Sequence, residues 1–518
     1  MQARTFAPLH THRLAHLHIC QLAQGAHSGE NRLFGTLRGQ GAGVPNLLGY
    51  PRAKPEQVRA SDTLSREIPE TQKILAHIGA RTEEYLARLK RACAQPSISA
   101  QNEGLAEMAD IVARMLRDLG FRVELVPTAG APVVLGRAMG RGQRTLLFYN
   151  HYDVQPVDPL DEWTTPPFEP DVREGKLYAR GSSDNKGAIV SRACALEAYL
   201  AHRGELPVNV IWVIEGEEEI GSPHLEHFAA QHEDLLREAY GCVWEGGGKN
   251  ARGRFEIALG CKGLLYVGLR AREAGRDLHS ALAAVVGNPA WRLLWALNTL
   301  KGPDERVCVT GFYDDVRPIS PAQRQALAQW DYPEEEARAV YGLDEFLGGL
   351  SGQALKERLI FGPTCNIDGF HSGYGGPGSK TVLPCEASAK LDFRLVPDQD
   401  PAQILALLRA HLHAEGFSDI KIVASDGEPP SAGDPAHPFV QAAAHTAERV
   451  YGHRPALIPM MSGTGPVHVL CGQFGVPMVT AGVGYAGSRA HAPDEHIYVA
   501  DFVAGTQYIA TLLDELAS

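Results

Sequence analysis

Glu215-Gly-Glu-Glu-Glu-Ile-Gly-Ser222 follows directly on Val208-Asn-Val-Ile-Trp-Val-Ile214, and the join between them decides how the chain is read. The upstream run is apolar, β-branched and non-alternating, the pattern of a strand buried on both faces. The downstream run sets three consecutive carboxylates, Glu217, Glu218 and Glu219, at the mouth of that strand. Like charges repel most where water is scarce, and the stretch holds no Lys or Arg to offset them. A metal ion would compensate them. A solvated acidic turn would need no compensation, and the segment by itself leaves both readings open.

Other segments share this layout. The apolar run 145–149 leads into Asn150-His151-Tyr152-Asp153, and Leu177-Tyr178-Ala179 leads into Arg180-Gly-Ser-Ser-Asp184-Asn-Lys-Gly187. Cys242-Val243-Trp244 leads to Glu245 and a run of glycines, and 478–484 leads after a short turn to Ser488-Arg-Ala-His491. In open α/β sheets, sites form outside the carboxyl ends of the strands. Two histidines and several carboxylates converging there amount to nitrogen and oxygen ligation without sulfur, suited to Zn²⁺, Mn²⁺ or Co²⁺. A carboxylate bridging two ions about 3.5–4 Å apart makes a two-metal hydrolase site.

The bulk properties narrow the field. A chain of 518 residues exceeds one compact core, so two or three domains are expected, and 44% hydrophobic residues suffice to fill them. Forty-nine basic against 61 acidic residues, a net charge of −12, weigh against nucleic acid or an anionic membrane as partner. No apolar run is long enough to span a bilayer. Nine scattered cysteines, an odd number without a C-x-x-C, fit a reduced compartment, with cytoplasm the expected location.

Residues 1–70 differ from the rest, with His10, His12, His16, His18 and His27, a Gly-rich patch and weak periodicity. They read as a disordered extension or the product of a start codon placed too early, with a metal tract or a transit peptide as alternatives. Beyond them, helical periodicity covers 74–94, 104–119 and 187–202, and strand patterns cover 122–126, 133–136, 145–149, 208–214 and 239–243. Alternation of this kind predicts an α/β sheet covered on both faces. After Gly263 the texture changes. A half-exposed strand at 264–272, a helix at 288–300, a helix- and Pro-rich stretch at 302–359, a strand at 387–396, a helix at 401–416 and a strand at 420–424 form a small α+β block. A proline-rich return linker at 427–438 precedes a helix at 439–451, a buried strand at 475–484 and a C-terminal helix at 499–516. The predicted fold is a doubly wound, mostly parallel α/β sheet with an inserted α+β domain. Its predicted parts are an extension at 1–73, a catalytic domain at 74–263 and 431–518, and an insert at 264–430.

The segments H-Y-D-V-Q-P (151–156), A-R-G-S-S-D-N-K-G (179–187), E-G-E-E-E-I-G-S (215–222), D-L-H-S (277–280), G-S-K-T-V-L-P (378–384) and R-L-V-P (394–397) form an ordered set. From residue 74 onward the chain resembles the dinuclear metallopeptidase and amidohydrolase family of carnosinases, cytosolic nonspecific dipeptidases, glutamate carboxypeptidases, aminoacylases and succinyl-diaminopimelate desuccinylases. The resemblance implies two divalent ions, zinc foremost. Their implied ligands are His151, Asp184, Glu219, Glu245 and His491, with Asp184 bridging and joined to Asn185 by a cis peptide. Asp153 would fix the His151 imidazole, and Glu218 would be the general base. His279 of the partner subunit would stabilise the oxyanion, and Arg394 would bind the substrate carboxylate. Thr381 and Thr464 match further substrate contacts. The insert becomes a lid that also mediates a homodimer, with hinges near Gly263 and Gly427.

The implied reaction is metal-dependent hydrolysis of amide bonds in dipeptides or short peptides, or, on the alternative reading, deacylation of N-acyl amino acids or carboxypeptidase action. Glu245 occupies a position where the family's dipeptidases tend to carry Asp and its carboxypeptidases and deacylases Glu, whereas the other motifs favour the dipeptidases. Rival chemistries fail on their patterns. Gly373–Thr381 looks like a phosphate loop, but Ser379 separates the last glycine from Lys380; G-x-S-x-G and H-E-x-x-H are both absent. A non-catalytic binding protein on this fold would have lost a ligand or the base, and every one is present.

Overall fold

The run at 208–214 forms the strand Asn209–Glu215, buried from Val210 onward. The computed structural model describes residues 70–517; the readings made for 1–69, including the histidine tract, lie outside it. The strand sits inside a six-stranded sheet ordered Arg122–Val126, Val133–Ala138, Asn209–Glu215, Thr145–His151, Ala239–Trp244, Met478–Thr480. Its last four strands run parallel, and the first two add an antiparallel edge.

Alternate residues of the central strands enter different cores. Phe148, Val210, Trp212, Ile214 and Val243 face one side, under the helices Lys186–Arg203, Pro438–Tyr451 and Val499–Leu516. Leu147, Tyr149, Ile211, Val213, Cys242 and Trp244 face the other, under Leu225–Gln231 and Val467–Leu470. Burial on both faces is why these strands show no polar alternation in sequence. The first core joins residues from 74 to 259 with residues from 439 to 516, so the chain returns to it after a long excursion.

That excursion builds its own sheet, all antiparallel, in the order Thr364–Ser372, Glu386–Leu395, Gly263–Arg272, Lys421–Glu428. One face packs on the helices Pro289–Leu300 and Pro401–Ala414 through Leu265, Val267, Leu391, Phe393, Leu293 and Leu408. The two crossing segments run side by side. Cys261 exchanges backbone hydrogen bonds with Ser431, and Leu264 pairs with Glu428.

Four details depart from the sequence reading. The first helix is two, Glu70–Ala80 and Thr82–Ala94, broken at Arg81 after Gly79 and beginning before residue 74. The strand Thr364–Ser372 has no counterpart in the expected block; it is an edge strand whose only buried residue is Cys365, with Ile367 and Phe370 exposed among its polar residues, so it lacks a burial signature. Lys421–Glu428 extends the last strand into the expected linker. The run at 475–484 is not one strand: Gly475 turns at φ 68°, only Met478–Thr480 pairs in the large sheet, and Gly484–Tyr485 pairs separately with Gly248–Lys249. A Cβ at Gly248 would lie 1.9 Å from the Gly484 carbonyl oxygen, so this pairing requires glycine.

Candidate metal centre

Three of the four parallel strands of the large sheet deliver a polar residue at the same end. His151 closes Thr145–His151, Glu218 and Glu219 form a 3₁₀ turn just beyond Asn209–Glu215, and Glu245 follows Ala239–Trp244. Asp184 sits at the mouth of helix Lys186–Arg203, and its peptide bond to Asn185 is cis. His491 reaches the cluster from the loop after Gly484–Tyr485, with a left-handed φ of 63°.

The atoms expected to ligate metal converge. His151 Nε2 lies 3.0 Å from Asp184 Oδ1 and 2.8 Å from Glu245 Oε2. His491 Nε2 lies 3.0 Å from Asp184 Oδ2 and 3.2 Å from Glu219 Oε2. Asp184 thus turns one oxygen to each imidazole, the arrangement a bridging carboxylate needs. The side chains of Asp184 and His491 are 28% and 30% exposed while His151 is fully buried, so the cluster opens to solvent on one side. Asp153 organises the other side. Its Oδ1 is 3.2 Å from His151 Nδ1, and its carboxylate accepts the N–H groups of Glu218 and Glu219 at 3.3 and 3.0 Å.

The acidic triplet is divided among different partners, and only part of it faces the expected metal ligands. Glu217 pairs with His224 at 2.6 Å, Glu219 accepts from Gln155 Nε2 at 2.8 Å and faces His491, and Glu218 stays buried beside His151 and Glu245. The crowding of acids shifts the titration of their neighbours. Burial opposes charging His151 and His491, yet the surrounding carboxylates outweigh it, carrying His151 well above the usual imidazole range and His491 to about 12. Burial and then repulsion from Glu245 raise the Glu218 carboxyl well above its ordinary range. Glu219 Oε1 is buried without a hydrogen-bond partner. An orphaned carboxylate oxygen within a set of imidazoles and carboxylates fits divalent cations, which would displace the histidine protons.

Behind the cluster, Glu215 accepts from Tyr149 Oη at 2.7 Å and Ser222 Oγ at 2.8 Å. Burial pushes its carboxyl up to about 8. The folded state therefore holds this proton more tightly than the unfolded chain does. Its contribution to stability is full below the ordinary value of 4.5 and is lost as the pH rises through about 8. Glu215→Gln in chelator-stripped protein is expected to melt like the parent at pH 5 and above it at pH 8. Melting curves that shift equally at both pH values would disprove this.

The remaining expected residues lie in two other groups. Arg394 Nη1 donates to Thr464 Oγ1 at 2.8 Å and its Nε lies 3.4 Å from Asp392, joining the open face of the inserted sheet to the Thr464 loop. His279 is exposed on a two-residue strand paired with Val382–Leu383, next to exposed Thr381. Residues not singled out from sequence also shape the site: Glu495 and Arg180, treated below, Gln155, and buried Arg192. Arg192 donates to the carbonyls of Tyr149 and Trp244 at 2.7 Å, bracing the ends of two ligand-bearing strands. Their signal was positional only, since each stands within a few residues of an expected ligand or on the helix after Asp184.

A parallel sheet whose strand ends gather two imidazoles and a set of buried carboxylates around a shared aspartate defines a metal-dependent hydrolase. Residues 147–515 match peptidase family M20/M25/M40, and the chain belongs to that family; it is a metallopeptidase. The M20 family metallo-carboxypeptidase Sso-CP2 from Sulfolobus solfataricus superposes with a TM-score of 0.78 and 40% identity, over 84% of this chain and 99% of that one. The Cys-Gly metallodipeptidase dug1 of Schizosaccharomyces pombe is 28% identical over 86% of this chain and 98% of its own length. The Beta-Ala-His dipeptidase of Mus musculus is 25% identical over 86% and 95%. Among the described residues no helix is long and apolar enough to cross a membrane.

Proposed function

We propose that this metallopeptidase removes one residue from dipeptides or short peptides that end in a free carboxylate, using two divalent ions, zinc foremost. The observation that carries the two-ion reading is Asp184, with one oxygen toward His151 and the other toward His491. His151, Glu245 and Asp184 would hold one ion, and His491, Glu219 and Asp184 the other. Two such ions lower the pKa of a shared water and polarise an amide carbonyl. Glu218, buried beside His151 and Glu245, would take the proton of the attacking water and pass it to the leaving amine. Asp153 keeps His151 in orientation through Nδ1 and fixes the backbone of both glutamates. Arg394, steadied by Thr464, supplies a guanidinium for the substrate carboxylate.

The insert at 264–430 acts as a lid on hinges near Gly263 and Gly427, just outside the paired ends of Gly263–Arg272 and Lys421–Glu428, and it pairs two subunits. An exposed apolar surface supports the pairing: Leu282, Val285, Trp291, Leu294 and Trp295 are 42–82% exposed and follow closely on His279. A second copy covering that surface would bring His279 of the partner subunit to the oxyanion and Thr381 to the substrate. The scattered, odd-numbered cysteines favour a cytoplasmic setting.

Two named relatives act as dipeptidases, while Glu245 and the likeness to a metallo-carboxypeptidase favour longer peptides or N-acyl amino acids as a second reading. The deciding experiment is hydrolysis by stripped protein refilled with Zn²⁺, Mn²⁺ or Co²⁺. The panel comprises free dipeptides, C-terminally amidated dipeptides, tripeptides and N-acetyl amino acids. Metal-restored cleavage of free but not amidated dipeptides is expected, and Arg394→Ala should raise KM for them with little change in kcat. Preference for N-acetyl compounds, or release of the C-terminal residue from tripeptides without cleavage of dipeptides, selects the second reading. No metal-restored turnover on any of them sinks both.

A further inference from the structure

Asp184 and His491 belong to different loops, and their direct contact runs only between the two expected ligand groups themselves. The Arg180–Asp184 loop is rich in Gly and Ser, with Gly181 at φ 82°, so its local conformational entropy is high. One side chain spans the two loops. Glu495, four residues beyond His491, is fully buried. Its Oε1 accepts the N–H groups of Ser183 at 2.8 Å and Asp184 at 3.0 Å. Its Oε2 accepts Gly181 N–H at 3.0 Å and Arg180 Nη1 at 2.8 Å. Its own carbonyl accepts Ala179 N–H at 3.0 Å. Arg180, also buried, donates to the Pro156 carbonyl at 3.0 Å and packs against the Trp163 ring. The carboxylate therefore gathers the backbone N–H groups of the loop into one shape, and the Asp184 N–H is among them.

We propose that Glu495, braced by Arg180, is a positioning residue that sets Asp184 against His491 and thereby governs metal affinity. Glu495 has both carboxylate oxygens taken up by protein donors. It acts through the Asp184 backbone, and because it stands on the His491 loop it couples the two segments that would share an ion. The inference rests on Asp184 and His491 being ligands. It goes beyond that reading in assigning affinity to a group outside the ligand set.

The test uses the full chain and three variants: Glu495→Gln, Glu495→Asp, and the double variant Arg180→Met/Glu495→Gln, which removes both buried charges together and so avoids stranding one. Zn²⁺ affinity is measured by competition with a chelating dye, Co²⁺ coordination by its visible spectrum, and the fold by melting of the metal-free form. The parent is titrated first. No metal uptake by the parent would sink the site reading itself, before any variant is considered. Given uptake by the parent, the folded variants are expected to bind Zn²⁺ about 10–100-fold more weakly. Their Co²⁺ spectrum should shift, and kcat should return towards the parental value once metal is saturating. Parental affinity and an unaltered Co²⁺ spectrum in any folded variant overturn the proposal. So does failure of all three to fold without metal, since the pair would then serve the stability of the chain rather than the site.

Discussion

Glu218→Ala is expected to lower turnover by about 10²–10⁴-fold, the range a positioned general base supplies, while the protein keeps its full complement of metal. The two parts belong together, because the geometry admits a rival role. Glu218 lies within ligand distance of the atoms of His151 and Glu245, so in isolation it could be read as a metal ligand. Its neighbours argue otherwise. Glu219 already offers a buried, unpartnered oxygen, and Asp184 serves both imidazoles, so each prospective ion has ligands without Glu218. Burial, the largest cause of the upward shift of the Glu218 carboxyl, also suits it to accept a proton in transit. Metal content by elemental analysis decides between the roles. Loss of an ion along with the activity would make Glu218 a ligand, and retained activity would remove it from the chemistry altogether. Because the folded, metal-free cluster resists ionising Glu218 while the unfolded chain ionises it above about pH 4.5, removing the group should also leave the metal-free variant at least as heat-stable as its parent at neutral pH.

Much of this site could be read from sequence because strand ends are easy to see. Runs such as 145–149 and 208–214 are apolar throughout because both sheet faces are covered, so the polar residues that follow them stand out against silence. His151, Glu219 and Glu245 are legible for that reason. Asp184 and His491 sit on loops with no periodic signal, and only the ordered motifs around them pointed to a role. Glu495 shows where such reading ends. Its function lies in four hydrogen bonds reaching back some three hundred residues, and nothing in Asp494-Glu495-His496 announces them. The edge strand Thr364–Ser372 escaped for a related reason, since exposed residues carry no burial pattern for periodicity to detect. The apolar face around Trp291 and Trp295 was likewise invisible before the fold separated the helix side packed on the sheet from the side left open.

Asp184→Asn should abolish activity by removing metal, the converse of Glu218→Ala. An amide keeps the size of the side chain but turns one of the two oxygens that face His151 and His491 into an N–H₂ group, which cannot ligate. Whichever way the amide rotates, one imidazole loses its shared partner. Equilibrium dialysis should therefore find at most half of the parental metal. The affinity should fall by more than the roughly 10–100-fold that partners outside the ligand set are worth, and turnover should drop to that of the stripped protein. The metal-free protein supplies a second readout. Asp184 helps hold the proton on His491, with Glu219 contributing more, so the His491 imidazole should titrate lower in the variant, visible in its ring proton shifts. Full metal content in Asp184→Asn would mean that each ion has a complete ligand set without a shared oxygen, and the two-ion reading would then lose the observation on which it stands.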